Sequence, residues 1–348
     1  MNKRGILMPI WVFTIAAFLA VLLPLEPIGA MAAEPSVDFM KGKIVNLIVP
    51  HGAGGGYDTY ARLLAPYIEK YSGCTIVVEN VTGAGGDVGR NRVWNAKPDG
   101  LTIGFTSGTA MVYSQVSGSE SVRYDVAKVK WMARALAEPS VLVAPTKGKY
   151  KSGADLLKAT TPVKFSVSGV GDDDFYALSI VAHALKIKVN PVTGYKGSKE
   201  ASLAVITGEV DAFETSVSTM LPIIQTGDVK PLMVITSRRV AQLPDVPTVL
   251  EVAKDVPGAA DLLKVPISLT GVARVFFAPP DLPKDKYDAL EMILQKALAD
   301  PDMLQKAKTA KRPIDYAPGT EVTELVQAAV SKAQTIKPVL VDALKGAQ

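Results

Sequence analysis

Short runs of β-branched and apolar residues recur along this chain, and several end in a glycine-bearing loop that opens a helical pattern. Lys43–Val49 (KIVNLIV), Thr75–Asn80 (TIVVEN) and Leu101–Thr106 (LTIGFT) are the first three. Runs of this length and composition read as strands, and a spacing somewhat under ~30 residues fits successive strand–helix–strand units. Between the first two, Tyr60, Leu63, Leu64, Tyr67, Ile68 and Tyr71 recur at helical spacing and make one apolar face. Pro66 falls inside that helix and predicts a kink. The alternation resumes at Val141–Pro145, Val163–Gly169, Val189–Gly194, Val210–Ser216 and Val229–Thr236. From about Lys284 the pattern is helical and charged, with a break at Pro301-Asp302. Continuous apolar strands are those covered on both faces, so the expected fold is α/β, with mostly parallel sheets flanked by helices. A chain of 348 residues is more than one core comfortably holds, which predicts two lobes.

The start of the chain has a different character. Lys3 and Arg4 precede an apolar run from about Ile10 to Leu23, followed by the small-residue pattern Ala30-Met31-Ala32. That is the layout of a cleaved signal peptide, residues 1–32, and it predicts a periplasmic protein. Cleavage removes Lys3, Arg4 and Glu26, so the formal net charge falls from +4 to +3. The apolar run is short for a membrane span, and no later segment reaches ~20 apolar residues. The one cysteine, Cys74, is remote from the cleavage site, which excludes a lipid anchor there and an internal disulfide. The positive charge is scattered, without a basic run interleaved with aromatics, so nucleic acid is not an expected partner.

The glycine loops carry the chemistry. Four of the five positions Gly52–Gly56 are glycine, in the stretch HGAGGGYDTYAR. A helix start offers unpaired N–H groups and the positive end of the helix dipole, and glycine lets a ligand approach the backbone. Together they make an anion site. Phosphate motifs fail: no Gly-Lys-Ser/Thr follows, and Tyr57 and Val88 stand where a dinucleotide fingerprint needs its third glycine. A carboxylate is the better candidate. Asp58 is expected to cap the helix and to orient the loop. The Gly83–Gly86 loop serves either binding or close packing of strand on helix. Ser107-Gly108-Thr109, after the third strand, is a further donor-rich helix start. Gly55–Ala61 has an echo at Gly171–Ala177, both reading G-x-x-D-x-Y-A, as if each lobe presented a helix start to a shared cleft.

Catalytic constellations are thin. The histidines are His51 and His183, and His183 is expected to pack on an apolar helix. Neither H-E-x-x-H nor a G-x-S-x-G elbow occurs. The acidic trio Asp172, Asp173 and Asp174 has no partner cluster in the sequence, which makes capping and ligand orientation better readings than metal. No catalytic residue, cofactor or metal is expected.

Six stretches in this order resemble the extracytoplasmic substrate receptors of tripartite tricarboxylate transporters, the Bug-type receptors. They are IVPHGAGGGYDTYAR, VVENVTGAGGDVG, AKPDGLTIGFTSGT, Tyr195–Gly197 (YKG), Gly208–Ala212 (GEVDA) and Leu243–Thr248 (LPDVPT). The resemblance implies a two-lobed, Venus-flytrap-like periplasmic binding protein that acts as a monomer. It also implies a small organic carboxylate as ligand and two membrane subunits as partners. By the same resemblance the ligand sits against Gly54, Gly55, Gly56, Tyr57, Asp58 and Thr59 of the first loop and Ser168, Gly169, Gly171, Asp172, Asp173 and Asp174 of the second. Ser107, Gly108, Thr109, Tyr195 and Lys196 lie nearby. The chain departs from the family pattern in three places: His51-Gly52-Ala53 in place of a proline-rich start, the acidic trio, and Leu269–Pro280 (LTGVARVFFAPP) in place of a tryptophan-glycine stretch.

Lobe boundaries follow from the pattern: residues 33–140 with 246–348 as one lobe and 141–245 as the other, crossing near Glu138–Val141 and Leu243–Thr248. Two rivals to transport stay open, an exported α/β enzyme using the same cleft and a receptor feeding a signalling partner. Two readings of the acidic trio also stay open. In one, Asp172 and Asp173 face solvent while Asp174 caps its helix. In the other, they accept hydrogen bonds from the donor end of a two-ended ligand.

Overall fold

The computed structural model describes residues 34–346, and the expected signal peptide lies outside them. In chain order the first part runs β1 (Ile44–Val49), α1 (Gly56–Ser72), β2 (Thr75–Asn80), α2 (Asp87–Trp94), β3 (Thr102–Thr106), α3 (Gly108–Ser117) and β4 (Lys130–Leu136). Next come β5 (Ser140–Pro145), α4 (Gly153–Leu157), β6 (Val163–Ser166), α5 (Asp173–Leu185), β7 (Val189–Val192), α6 (Ser198–Thr207), β8 (Ala212–Ser216), α7 (Val217–Thr226) and β9 (Val229–Ile235). The chain closes with α8 (Val249–Val252), α9 (Ala259–Leu269), β10 (Arg274–Ala278), α10 (Lys284–Leu298), α11 (Pro301–Thr309), β11 (Ala317–Pro318), α12 (Gly319–Gln334) and α13 (Lys337–Gly346).

These strands form two sheets, one in the order β11-β4-β10-β3-β1-β2 and one in the order β7-β6-β8-β5-β9. Parallel pairing holds where a helix links the strands: β1 with β2 and β3, and β6 with β7 and β8. It fails around the strands that enter or leave each sheet. β10 lies antiparallel between β3 and β4, and β5 lies antiparallel between β8 and β9. The sheets are therefore mixed. A parallel neighbour needs a crossover connection packed on its own sheet, and strands arriving from the other sheet lack one. β4 and β10 had no strand signal strong enough to be read beforehand.

The helical face of α1 is as expected: Tyr60, Leu64, Tyr67 and Ile68 are buried, and the helix continues through Pro66. The Pro301-Asp302 break is a helix start. Asp300 caps α11 by accepting from the N–H groups of Asp302 and Met303, with Pro301 in the first turn, where its missing N–H is harmless. One hydrophobic cluster spans α3, α5, α9, α12 and α13, so the two sheets share a helical layer. β4 passes to β5 through residues 137–139, while α8 lies on β9 and α9 packs on α5 before the chain returns at β10. Among the described residues, no helix is long and apolar enough to cross a membrane.

Candidate functional site

The two G-x-x-D-x-Y-A stretches do the same local job. The Asp58 carboxylate reaches back to accept from the N–H of Gly54 at 2.8 Å, and the Asp174 carboxylate accepts from the N–H of Ser168 at 2.6 Å. Each aspartate ties a glycine loop to the helix that follows it. Asp58 is not the N-cap of α1; Gly55 is, and Asp58 sits in the first turn, where its charge also suits the helix dipole. Asp172 is the N-cap of α5, the role that one of the two readings of the trio gave to Asp174. Ser107 caps α3, its hydroxyl accepting from the N–H of Ala110 at 3.1 Å.

Between the sheets lies a cavity of about 80 Å³, well above the ~10–15 Å³ that one water needs. Of the residues expected at a site, Gly56, Tyr57, Thr109, Ser168, Asp172, Asp173 and Asp174 line it. Gly54, Gly55, Asp58, Thr59, Ser107, Gly108, Gly169, Gly171, Tyr195 and Lys196 do not. The N–H groups of Gly54 and Ser168 are taken by the aspartates, and that of Gly55 donates to the Gly52 carbonyl. Tyr195 donates to Glu209 at 2.6 Å, and Lys196 is exposed.

The cavity wall includes charged groups that reading the sequence missed. Arg274, 2% exposed, donates through Nε to Glu138 at 2.7 Å, stacks over the rings of Tyr57 and Tyr60, and leaves Nη1 without a partner among the described residues. Its stretch, Leu269–Pro280, had been noted only as a departure from the family pattern, and the departure was the available signal. His51 is buried, stacks on Tyr57 with ring centroids 3.8 Å apart, and turns Nδ1 to Asp172 at 3.3 Å. Its Nε2 has no protein partner. His183, by contrast, is exposed in the last turn of α5 rather than packed. Glu214 and Tyr113 complete the wall, and the Tyr113 hydroxyl is also unpartnered.

Electrostatics separate the acidic groups. Neither Asp172 nor Asp174 faces solvent; both are 4% exposed. Burial alone would raise the Asp172 carboxyl, but His51 and Arg90 outweigh it and hold it at about 2. Arg90 is fully buried and bridges Asp172 at 3.2 Å and Asp87 at 3.0 Å. Asp173 and Asp174 behave oppositely. Burial, then the neighbouring carboxylates, raise both, Asp174 strongly. Burial lifts Glu214 to about 8.

A family model described as the tripartite tricarboxylate transporter family receptor matches residues 60–338. The chain belongs to this family. The receptor is 30% identical over 302 residues to a protein of Agrobacterium vitis, the UPF0065 protein in the TAR-I ttuE-ttuC' intergenic region, covering 83% of this chain and 80% of that one. Its fold matches the periplasmic binding protein BugD with a TM-score of 0.74 at 25% identity, over 86% of this chain and 98% of BugD. It also matches MatC from Rhodopseudomonas palustris, solved with bound malate, with a TM-score of 0.70 at 24% identity, over 85% and 99% of the two chains. The family places the receptor in the periplasm as a solute-binding protein for a tripartite transporter.

In this receptor the glycine loops also serve as the seam between the sheets. A Cβ on Gly85 would stand 2.4–2.5 Å from the backbone of Val170, Gly171 and Asp172, across the cleft. A Cβ on Gly52 would stand 2.3 Å from the Lys196 carbonyl oxygen. Gly83–Gly86 therefore allows backbone of one sheet's loops to touch backbone of the other's, a role the sequence alone could not assign. Gly85 also sits at φ +59°. Gly85→Ala is expected to destabilise by about 1–3 kcal/mol from backbone strain alone, and by more from the overlap. Gly42→Ala is the control, with φ +70° but open space around it. Urea unfolding that gave the two variants equal losses would remove the seam from the explanation.

Proposed function

We propose that this receptor captures a small organic carboxylate in the periplasm as a monomer and hands it, unchanged, to two membrane subunits of a tripartite tricarboxylate-type transporter. One observation carries the reading: a polar cavity between two sheets holds a buried guanidinium, Arg274, whose Nη1 has no protein partner. A buried donor of this kind is costly unless a ligand accepts from it, and a carboxylate does so with a charge-assisted bond. The start of α1, at Gly56 and Tyr57, adds its dipole on the same wall. The malate held by the similar MatC supports a carboxylate. We take the two sheets as the cores of two closing lobes. The forward crossing is then at residues 137–139. The return is taken at Thr270–Ala273 rather than Leu243–Thr248, because α8 lies on β9 and α9 on α5.

The test is a thermal-shift series of mono-, di- and tricarboxylates with the purified receptor. At 100 times its Kd, a ligand adds about 2.7 kcal/mol of stability, an unmistakable rise in melting temperature. No rise with any member, and none in titration calorimetry, overturns the proposal. One observation favours an enzyme as the second reading: His51 Nδ1 faces Asp172 while Nε2 has no hydrogen-bond partner among the described residues, the layout of a general base. Among the described residues, no serine, threonine or cysteine bonds to His51 as a nucleophile would. Chromatography of a bound ligand after prolonged incubation decides between them, since a receptor returns it intact.

A further inference from the structure

The cavity wall holds more carboxyl groups than its own cations pair. Glu138 is matched by Arg274, and Asp172 by Arg90 and His51. Asp173, Asp174 and Glu214 line the same cavity, and none of the three forms an ion pair among the described residues. Three buried or half-buried carboxyl groups without a cation ionise only at a cost, and burial accordingly raises all three. Independent observations point to a missing guest. Asp174 Oδ1 and the Tyr113 hydroxyl, on side chains 4% and 0% exposed, have no hydrogen-bond partner, and both residues line this cavity. At the Arg274 side, Nη1 is likewise unmatched.

Tyr57 lies between the two kinds of wall. The Arg274 guanidinium sits 4.5 Å from its ring centroid, and its hydroxyl is 3.2 Å from Asp173 Oδ2. The site is therefore two-ended, with a guanidinium whose Nη1 is unpartnered among the described residues on one side of Tyr57 and carboxyl groups without a cation on the other. Resting on the carboxylate reading above, we propose that the ligand is an amino acid in the broad sense. Its carboxylate meets Arg274, and its protonated amine meets Asp173, Asp174 and Glu214. An ammonium group supplies three donors in a compact space and the positive charge that the wall lacks. Hydroxyl and amide donors would satisfy the lone pairs but bring no positive charge against which these carboxyl groups could ionise.

The test uses matched probes: α- and ω-amino acids of two to six carbons, each with its des-amino analogue and its N-acetyl form. The amine-bearing member is expected to bind about 10- to 100-fold more tightly than both analogues, the range of a charged hydrogen bond. Glu214→Gln is expected to shrink that ratio, and Asp173→Asn, on a half-exposed side chain, does the same should the first variant fold poorly. Equal or tighter binding of the des-amino acids overturns this inference and leaves the carboxylate reading standing. Binding of simple amines without any acid binding overturns the carboxylate reading and keeps the acidic wall as a cation site. Binding of plain dicarboxylates only with added Mg²⁺ or Ca²⁺ shows that a metal ion supplies the charge, and the ammonium is dropped.

Discussion

Replacing Arg274 with methionine destabilises the ligand-free receptor by about 3–5 kcal/mol, the usual loss when one member of a buried ion pair is left behind. The side chains of Arg274 and Glu138 are 2% and 3% exposed, and their atoms meet at 2.7 Å. Glu138 is the residue through which the chain leaves the first sheet, and its other oxygen accepts from the N–H of Ser218 at the start of α7. Arg274 is the first residue of the strand on which the chain comes back. The pair thus joins both passages between the sheets. Glu138→Gln combined with Arg274→Met keeps the acceptor for Ser218 and removes both charges, so it recovers part of the loss. Urea denaturation of the two single variants and the double measures the coupling. A single-variant loss below ~1 kcal/mol would mean water reaches the pair freely, as at an exposed ion pair.

The second large effect is one of pH. Burial pushes the Glu214 carboxyl from its ordinary 4.5 to about 8. Below 4.5 the folded and unfolded chains both hold this proton, and the residue adds no pH dependence. Between the two values the unfolded chain has lost the proton while the folded chain keeps it. Folding stability then falls as pH rises, by up to ~1.4 kcal/mol per pH unit for a single group. Above 8 both forms are ionised and the penalty stays constant. The stability of Glu214→Gln minus that of the unsubstituted receptor is therefore expected to widen from pH 5 to 8 and then level off. A flat difference over that range would show that Glu214 ionises normally in the folded state.

Much of the architecture was legible because its strands are apolar and β-branched, and because a glycine loop follows several of them. β1, β2 and β3 in one sheet and β5 to β9 in the other stand where those runs stand. β4 (KWMARAL) and β10 (RVFFA) escaped because a basic residue breaks each apolar run. Those basic residues are engaged within the fold: Arg134 bonds Asp315, Glu321 and two backbone carbonyls, and Arg274 lines the cavity. The site divides the same way. Local features such as the helix starts at Tyr57 and Asp172–Asp174 were readable from neighbouring residues. Arg274 was not, since its partner Glu138 is 136 positions away and a lone arginine announces nothing. His51 acquired its meaning only when the fold brought Asp172 beside it. The glycines were visible, but the backbone they had to clear belonged to the opposite loop.

The seam at Gly52 and Gly85 has a consequence for how such a receptor can change its cargo. Where main chain meets main chain, shape is set by atoms that every residue shares, and side chains play almost no part. The walls between the contact points are built from side chains: Arg274, Asp173, Glu214, Tyr113 and their neighbours. Mutations can therefore change the lining of the cavity without touching the backbone contacts between its halves. If the cavity is the ligand site proposed above, seam and selectivity are separate inheritances. On the function proposed above, a lineage that keeps a handful of glycines could explore new ligands one wall residue at a time while the main-chain seam stays as it is.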